Sequence, residues 1–401
     1  MKILRWFCIL LIGSVFIHQN TYGGSILSSS GIGTPYHFSS SRSMGMGGVS
    51  IAVPVPMNTP RSNPALLSFI ESTQLSLQFY YEFNRIEDQS EKAVSQYANL
   101  DGFDFAIPCG RGVSLGIGMR PWTRVDYKMV FNDSIASESY SKSVIGSGGL
   151  NAFDFSLSAR PVSLISIGLT GHAYFGRIQE QQILVYENSA FKSSDDIASY
   201  QHKGFGWTAG LLVKPSDRFQ IGTIFRPKCK IETEAEISHI FSNKTETAKG
   251  NSTIPSAFGI GLSAEVFRGL HMGFDYKYHQ WQDLTVMDKP ANNTQNVNGF
   301  SFGMEYLATT EPFANIWKRI AYRCGLSIEP AYVLDPSGNS ITEKWVSLGV
   351  GFPFFVNAAV LDISLSAGIR GSVEQNGLSE KMLRLSVSIT GRERWFIDRF
   401  R

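Results

Sequence analysis

The chain has 401 residues, of which 43% are hydrophobic and 17% are charged, and 36 basic and 34 acidic side chains give a formal charge of +2. This composition excludes an intrinsically disordered chain and gives no reason to expect a nucleic-acid partner. The mean hydropathy of -0.05 disfavours a bundle of membrane-spanning helices. Low charge, 38 glycines and 12% aromatic residues are together typical of a β-barrel whose outer face contacts lipid.

The amino terminus has the features of a secretory signal peptide. Basic residues precede an apolar run at residues 6–17, and the small residues 23–25 follow. The run is shorter than the roughly 20 residues that a spanning helix needs. We expect residues 1–23 to be removed as a signal peptide, with retention as an uncleaved anchor as the alternative.

The remaining cysteines, Cys109, Cys229 and Cys324, lie far apart and lack the spacing of zinc sites. Neither a disulfide framework nor a metal site is therefore predicted. The glycines in residues 259–261 open no predicted helix, so no dinucleotide site or other cofactor is expected. No catalytic constellation is found, and we do not expect an enzyme.

From about residue 74 onward, apolar and polar residues alternate, and residues 163–177 are a clear example. Because successive side chains of a strand point to opposite faces, this period of two predicts strands with one apolar and one polar face. About fourteen such segments are predicted. They span residues 74–86, 100–109, 112–121, 149–160, 163–177, 204–214, 219–229, 255–267, 270–281, 298–308, 319–333, 344–352, 358–370 and 380–391.

The connections between these segments alternate in length. Short turns, such as residues 160–163, alternate with long polar connections. The long connections are residues 122–148, 178–203, 230–254 and 282–297. Outer-membrane barrels alternate short periplasmic turns with long external loops in this way. We therefore predict an all-β fold, a transmembrane antiparallel β-barrel of about 14 strands over residues 74–401, in the outer membrane of a Gram-negative-type bacterium.

The polar face is expected to line the lumen, and it carries charged residues. They include Arg120, Asp154, Arg160, Asp275, Lys277, Arg323, Glu329 and Arg384. Several aromatic residues near strand ends, among them Tyr80, Trp122, Trp207 and Trp281, are interpreted as parts of the interfacial girdles of such barrels.

Residues 24–73 do not alternate, and they are rich in glycine and moderately apolar. A barrel of this width leaves more lumen than its own side chains can fill. We therefore predict that this segment is an N-terminal hatch that plugs the lumen. The alternative, a free periplasmic tail, would expose Met44, Leu66 and Leu67.

Three motifs of this segment resemble the hatch of FadL-type outer-membrane transporters: residues 28–33, residues 44–48 and Asn63-Pro64-Ala65. The resemblance implies transport of long-chain fatty acids or other hydrophobic compounds, with the ligand leaving through a gap in the barrel wall. The candidate hatch residues are Gly45, Gly47, Gly48, Asn63, Pro64 and Ala65. We expect a conformational role for this motif, because Pro64 keeps Asn63 extended and the Asn63 side chain can hold a turn.

Two functions stay open. The first is passive transport of hydrophobic small molecules, with lipid or detergent as an alternative occupant of the lumen. The second is an outer-membrane scaffold or shuttle barrel of a protein secretion system, as in the related accessory barrels of type IX secretion. Insertion by the barrel-assembly machinery is expected in either case, although Phe396 is followed by five further residues instead of ending the chain.

Overall fold

The computed structural model describes residues 24–36, 40–53, 59–89, 91–135, 138–187, 191–240, 244–355 and 357–393. The predicted signal peptide and residues 394–401 lie outside these ranges. The strands are β1 (Thr34–Pro35), β2 (Thr73–Asp88), β3 (Lys92–Gly110), β4 (Val113–Pro121), β5 (Thr123–Ile135), β6 (Glu138–Val162), β7 (Ile165–Tyr186), β8 (Ser194–Ser216), β9 (Phe219–Arg226), β10 (Cys229–His239), β11 (Lys244–Ile254), β12 (Ala257–Phe267), β13 (Leu270–His279), β14 (Thr285–Val286), β15 (Lys289–Pro290), β16 (Val297–Tyr306), β17 (Ala321–Leu334), β18 (Ser340–Phe354), β19 (Ala359–Arg370) and β20 (Leu378–Glu393). Short helices occur at Ile26–Ser29, Ser41–Gly45, Pro64–Phe69, Trp281–Asp283, Ile316–Arg319 and Val373–Asn376.

The strands form a closed 14-strand antiparallel barrel, in which β2 pairs with β20 to complete the circle. Three barrel strands are interrupted, and each consists of two segments: β4 with β5, β9 with β10, and β11 with β12. Pro121, Pro227 and Pro255 lie at these three interruptions. Proline has no backbone N–H to donate, so it is a natural point for a ladder to break.

The two faces of the wall differ as the alternation predicts. On β2, Leu75 and Leu77 are exposed on the outer face, whereas Gln74 and Ser76, which alternate with them, are buried in the lumen. An apolar exterior and a polar interior suit a cylinder that stands in lipid. Closure of the wall satisfies the backbone hydrogen bonds that lipid cannot. The predicted all-β transmembrane barrel is confirmed. No helix in the described part of the chain is both long and apolar enough to cross a membrane.

Each of the predicted strands coincides with a strand of the structure, but three of the predicted polar connections are not loops. Residues 123–148, 178–203 and 229–254 extend the barrel strands as β-hairpins. In β10 the buried positions alternate with Glu232, Glu234 and Glu236 but hold mainly Thr and Ala. In β10 the apolar half of the alternation is limited to Ile231 and Ala235, and the sequence predicts polar connections at all three stretches.

We call the described residues between 24 and 73 the hatch, after the predicted role, and their backbone lies directly against the inner wall where the strands carry glycine. A Cβ built on Gly303 would lie 2.3 Å from the carbonyl oxygen of Met46, and one on Gly325 would lie 2.1 Å from the Met46 carbonyl carbon. A Cβ on Gly222 would lie 2.4 Å from the carbonyl oxygen of Ile51. These separations are shorter than a van der Waals contact, so only glycine permits the observed packing.

We predict that Gly325→Val displaces the hatch, because the added side chain would occupy the position of the Met46 backbone. Overpacking of this kind costs about 1–3 kcal/mol. The expected result is a higher single-channel conductance in planar bilayers and a lower temperature of unfolding on heated gels. Gly171→Val is the matched control, since its Cβ would meet nothing nearer than the Phe155 carbonyl oxygen at 4.0 Å. Equal conductance of the two variants would contradict the prediction.

Candidate functional site

The β-ladder is interrupted on the side of the barrel where β3 meets β5. β3 pairs with β4 only between Phe103 and Gly110, while β5 pairs with β6 and with the short strand β1. Residues 92–101 of β3 and residues 125–134 of β5 share no ladder in the described structure. We call the space between these two segments the wall gap.

Local backbone features produce the wall gap. The register between β2 and β3 shifts between Leu77 and Phe79, which leaves Asp101 and Gly102 as a bulge in β3. Gly102 has φ +104, a conformation that side chains rarely allow. On the other side, Trp122 separates β4 from β5 and is buried in the lumen. Bulges bend strands, and the bend here draws β3 and β5 apart.

The hatch covers the wall gap from inside. Its strand β1 adds to the edge of β5, with Thr34 opposite Arg124. The next residue but one, Tyr36, donates its backbone N–H to the carbonyl oxygen of Trp122 at 3.1 Å. The Tyr36 ring lies 6.0 Å from the ring of Tyr80 on β2. The hatch therefore spans from one side of the opening to the other.

Arg124 crosses the wall gap from β5. Its guanidinium carbon lies 3.4 Å from the ring centre of Tyr97 on β3. The same group donates to Glu82 at 3.1 Å and to Asp126 at 2.7 Å. The contact of the cation with the aromatic face contributes about 0.5–2 kcal/mol, and the largely buried ion pair between Arg124 and Glu82 of β2 adds a second link across the opening.

A lumen cavity of about 160 Å³ adjoins the wall gap. Its lining combines aromatic and charged side chains. They include Trp122, Phe258, Trp281, Arg61, Arg120, Arg226, Lys277, Asp101 and Glu329. The guanidinium carbon of Arg226 lies 5.2 Å from the ring centre of Trp122, and its Nε has no hydrogen-bond partner among the described residues. The cavity thus places an apolar surface beside the guanidinium group of Arg226, which suits an anion with an apolar body.

The glycine-rich motif of the hatch lies at the end of helix Ser41–Gly45. A Cβ on Gly45 would lie 3.0 Å from the Cα of Gly349 on β18. Gly47 and Gly48 have φ +66 and +91, and the Gly48 N–H donates to the carbonyl oxygen of Ser43 at 2.7 Å. The motif reverses the chain in a space that side chains would fill.

The Asn63-Pro64-Ala65 motif joins the hatch to the wall near the short turns. The Asn63 side chain accepts from Ala65 N at 3.0 Å and donates to the carbonyl oxygen of Ile51 at 2.8 Å. The Ala65 carbonyl oxygen in turn accepts from Ser166 Oγ at 2.7 Å. These contacts are conformational, and the motif does not line the cavity beside the wall gap.

Charged contacts hold the hatch around residues 42–50. Arg42 donates twice to Glu305, at 2.9 and 2.7 Å, and both hydrogen bonds are buried. Lys277 on β13 donates to the Gly48 carbonyl oxygen at 3.1 Å, and Asp275 accepts from Ser50 N at 2.7 Å. The lumen charges that the alternation identified therefore bind the hatch backbone.

The aromatic residues are not all placed as the sequence suggested. Trp207 is exposed on the outer face, but Tyr80, Trp122 and Trp281 are buried in the lumen. The girdle interpretation is therefore wrong for these three residues. Trp281 belongs to a short helix that folds inward, where its ring stacks on Tyr332 at 4.3 Å.

Sequence reasoning did not identify Arg226, Tyr97 or Arg124 as parts of a site. Arg61, which also lines the cavity, lies two residues before Asn63, so its position beside the motif could have identified it. The other three residues carry no local signal, because their roles depend on which strands fail to pair.

We predict that Arg42→Gln loosens the hatch. The change leaves Glu305 buried with one partner fewer, and truncating one partner of a buried charge pair costs about 2–5 kcal/mol. The expected outcome is faster chymotrypsin cleavage within the hatch of the folded protein. Arg85→Gln, an exposed position on the barrel, is the control. Identical cleavage rates for both variants would show that the pair does not hold the hatch.

Comparison with known proteins gives a consistent result. The model of the BamG family matches residues 1–400. Outer membrane protein P1 of Haemophilus influenzae is 21% identical over 363 residues, which cover 75% of this chain and 77% of that protein. Together with the barrel, this likeness establishes the predicted outer-membrane location.

Two solved structures share the fold. The Pseudomonas putida toluene transporter TodX superposes with a TM-score of 0.60 at 16% identity, covering 90% of this chain and 99% of that chain. A Pseudomonas aeruginosa FadL homologue gives a TM-score of 0.59 at 14% identity, with coverages of 89% and 99%. The barrel of this chain therefore has the FadL-type fold, which confirms the resemblance read from the hatch motifs.

Proposed function

Since the chain belongs to the BamG family and has the FadL-type fold, we propose that it moves hydrophobic small molecules passively across the outer membrane. Among these, the cavity best suits compounds with an anionic head, such as long-chain fatty acids. The observation that carries the proposal is the cavity of about 160 Å³ beside the wall gap, where aromatic rings and cationic side chains line the same space. A toluene transporter and a FadL homologue among the structural neighbours support a hydrophobic ligand.

The proposed path runs between the wall gap and the cavity. An alkyl chain would lie against Trp122 and Trp281, while a carboxylate would accept from the Nε of Arg226. The hatch, residues 24–73, would close the aqueous route through the lumen, so that solute moves sideways through the wall. No coupling to an energy source is part of the proposal, and the flux would follow the concentration gradient.

One observation favours the second candidate, a scaffold in a protein secretion system. Residues 129–134 of β5 pair with β6 on one side only in the described structure, and Val130 and Phe131 on this edge are exposed. An unpaired strand edge can accept an extended polypeptide segment. The wall gap could then receive a protein segment in place of a lipid-like solute.

We predict that locking the wall gap stops transport. In a variant with Cys109, Cys229 and Cys324 replaced by Ala, Tyr97→Cys and Arg124→Cys would be joined by a bifunctional thiol reagent. Uptake of radiolabelled laurate into cells lacking their own fatty-acid transporter should fall at least about tenfold on cross-linking, because the ligand could no longer pass.

The control joins Glu87→Cys and Lys92→Cys in the same background, where β2 and β3 are already paired. Cross-linking there should leave laurate uptake unchanged. Undiminished uptake with a locked gap would exclude the gap as the route, and an absence of any laurate uptake by the unmodified protein would leave the scaffold as the better candidate.

We predict that Arg226→Gln discriminates between head groups. A hydrogen bond to a charged group is worth about 1.5–3 kcal/mol, which is about tenfold or more in affinity. Laurate should therefore bind at least about tenfold more weakly to R226Q, while dodecanol, which lacks the carboxylate, should bind as before. Arg218→Gln, at an exposed turn, is the control. Equal losses for both ligands would rule out recognition of the anionic head.

A further inference from the structure

One connection at the short-turn end of the barrel is unlike its neighbours. Short turns at residues 111–112, 163–164, 217–218 and 268–269 join successive strands, whereas residues 307–320 form a much longer connection between β16 and β17. Short turns mark the periplasmic end of outer-membrane barrels. The long connection therefore lies on the periplasmic side, and we call residues 307–320 the periplasmic loop.

The periplasmic loop displays large apolar side chains. Phe313 is 93% exposed and Trp317 is 69% exposed. The loop starts beside the neighbouring turn, where the Leu307 N–H donates to the Gly269 carbonyl oxygen at 2.8 Å, and in that turn Phe267 is 71% exposed. Contiguous apolar surface of this kind marks a contact with a membrane or a partner.

Hydrogen bonds give the periplasmic loop a defined conformation. The Asn315 side chain accepts from the Trp317 N–H at 3.0 Å and caps the short helix Ile316–Arg319. The Thr310 carbonyl oxygen accepts from Asn357 Nδ2 at 2.7 Å, which ties the loop to the next turn along the same end. The exposed side chains are therefore presented by a built structure.

The periplasmic loop is held against the lipid-facing side of the wall. Tyr322 Oη donates to the Trp317 carbonyl oxygen at 3.3 Å. Tyr322 of β17 pairs with Tyr306 of β16, and both are exposed on the outer face together with Leu326. Aromatic residues are enriched where a barrel wall meets the lipid headgroups. Trp317 thus continues the lipid-facing surface of these two strands.

Basic side chains accompany the exposed aromatic residues. Lys318 follows Trp317, Arg268 follows Phe267, and both basic residues are exposed. Residues 312–320 contain no acidic side chain. An aromatic ring beside a long basic side chain suits a membrane surface, because the ring can lie among the lipids while the cation reaches a phosphate.

We propose that the periplasmic loop, together with Phe267 and Arg268, binds the periplasmic leaflet of the outer membrane. Phe313 and Trp317 lie at the level of the headgroups, and Lys318 and Arg268 bind the phosphates of anionic phospholipids. A lipid surface is favoured over a periplasmic protein because the apolar patch is continuous with the lipid-facing wall.

The first test measures the depth of the periplasmic loop in nanodiscs of phosphatidylcholine with phosphatidylglycerol. In a variant whose other cysteines are replaced by Ala, Phe313→Cys carries the fluorophore NBD. Ser337→Cys, at an exposed turn on the opposite end of the barrel, is the control. Headgroup spin-labelled lipid should quench the label at 313 at least about threefold more strongly than the label at 337, and aqueous iodide should quench it less.

Equal quenching of the two labels by iodide would overturn the proposal. It would show that the surface is exposed to water and is free for a periplasmic protein.

The second test concerns the basic residues and uses native mass spectrometry of detergent-purified protein with added phosphatidylglycerol or phosphatidylcholine. Lys318→Gln with Arg268→Gln should weaken the binding of phosphatidylglycerol at least about fivefold, because both lost charges attract anionic lipid. Binding of phosphatidylcholine should be unchanged. Lys244→Gln with Lys249→Gln, exposed on the opposite end, is the matched control and should retain phosphatidylglycerol.

Unchanged binding of phosphatidylglycerol by K318Q/R268Q would refute recognition of the anionic headgroup. An equal loss in both double variants would likewise contradict binding at the periplasmic loop. Heat-modified mobility on gels verifies that each variant is folded.

Discussion

The contact that the rest of the structure depends on is the close approach of the hatch backbone to the inner wall. A barrel of 14 strands is too wide for its own side chains to fill, and here a second layer of backbone fills it. That layer fits because inward positions such as Gly222, Gly303 and Gly325 carry no side chain. Because the hatch backbone packs directly against the wall backbone, room remains in the lumen for the charged groups that bind the hatch.

The opening in the wall also depends on the way the hatch packs against the barrel. The bulge at Asp101–Gly102 and the break at Trp122 move two strands apart, and the hatch supplies β1 and Tyr36 where the ladder is missing. The hatch contacts both the lumen lining and the edge of the wall gap, so under the proposed function a movement of the hatch would change both. A lateral path and a closed aqueous path are compatible for this reason.

The sequence predicted the barrel well and its site poorly, for a physical reason. Alternation is local, so strands such as residues 163–177 could be recognised one by one. The hairpin at residues 229–254 was assigned to a polar connection, although its buried positions include Ile231 and Ile254 beside Thr233, Ala235, Ser252 and Thr253. The wall gap depends on which strands fail to pair, and Arg226 and Tyr97 gain their roles only from that arrangement. Trp122 and Trp281 were misplaced because their inward turn is likewise a property of the whole fold.

The hatch touches strands that lie far apart in the barrel sequence. Ala65 binds Ser158 and Ser166, Arg42 binds Glu305, and Ser41 contacts Ser386. The contact between Ser41 and Ser386 joins residues 345 positions apart in the chain, and contacts of that separation form late. The part of the chain that is synthesised first can thus settle only when the last strand is in place, so a seated hatch marks a barrel whose assembly is finished.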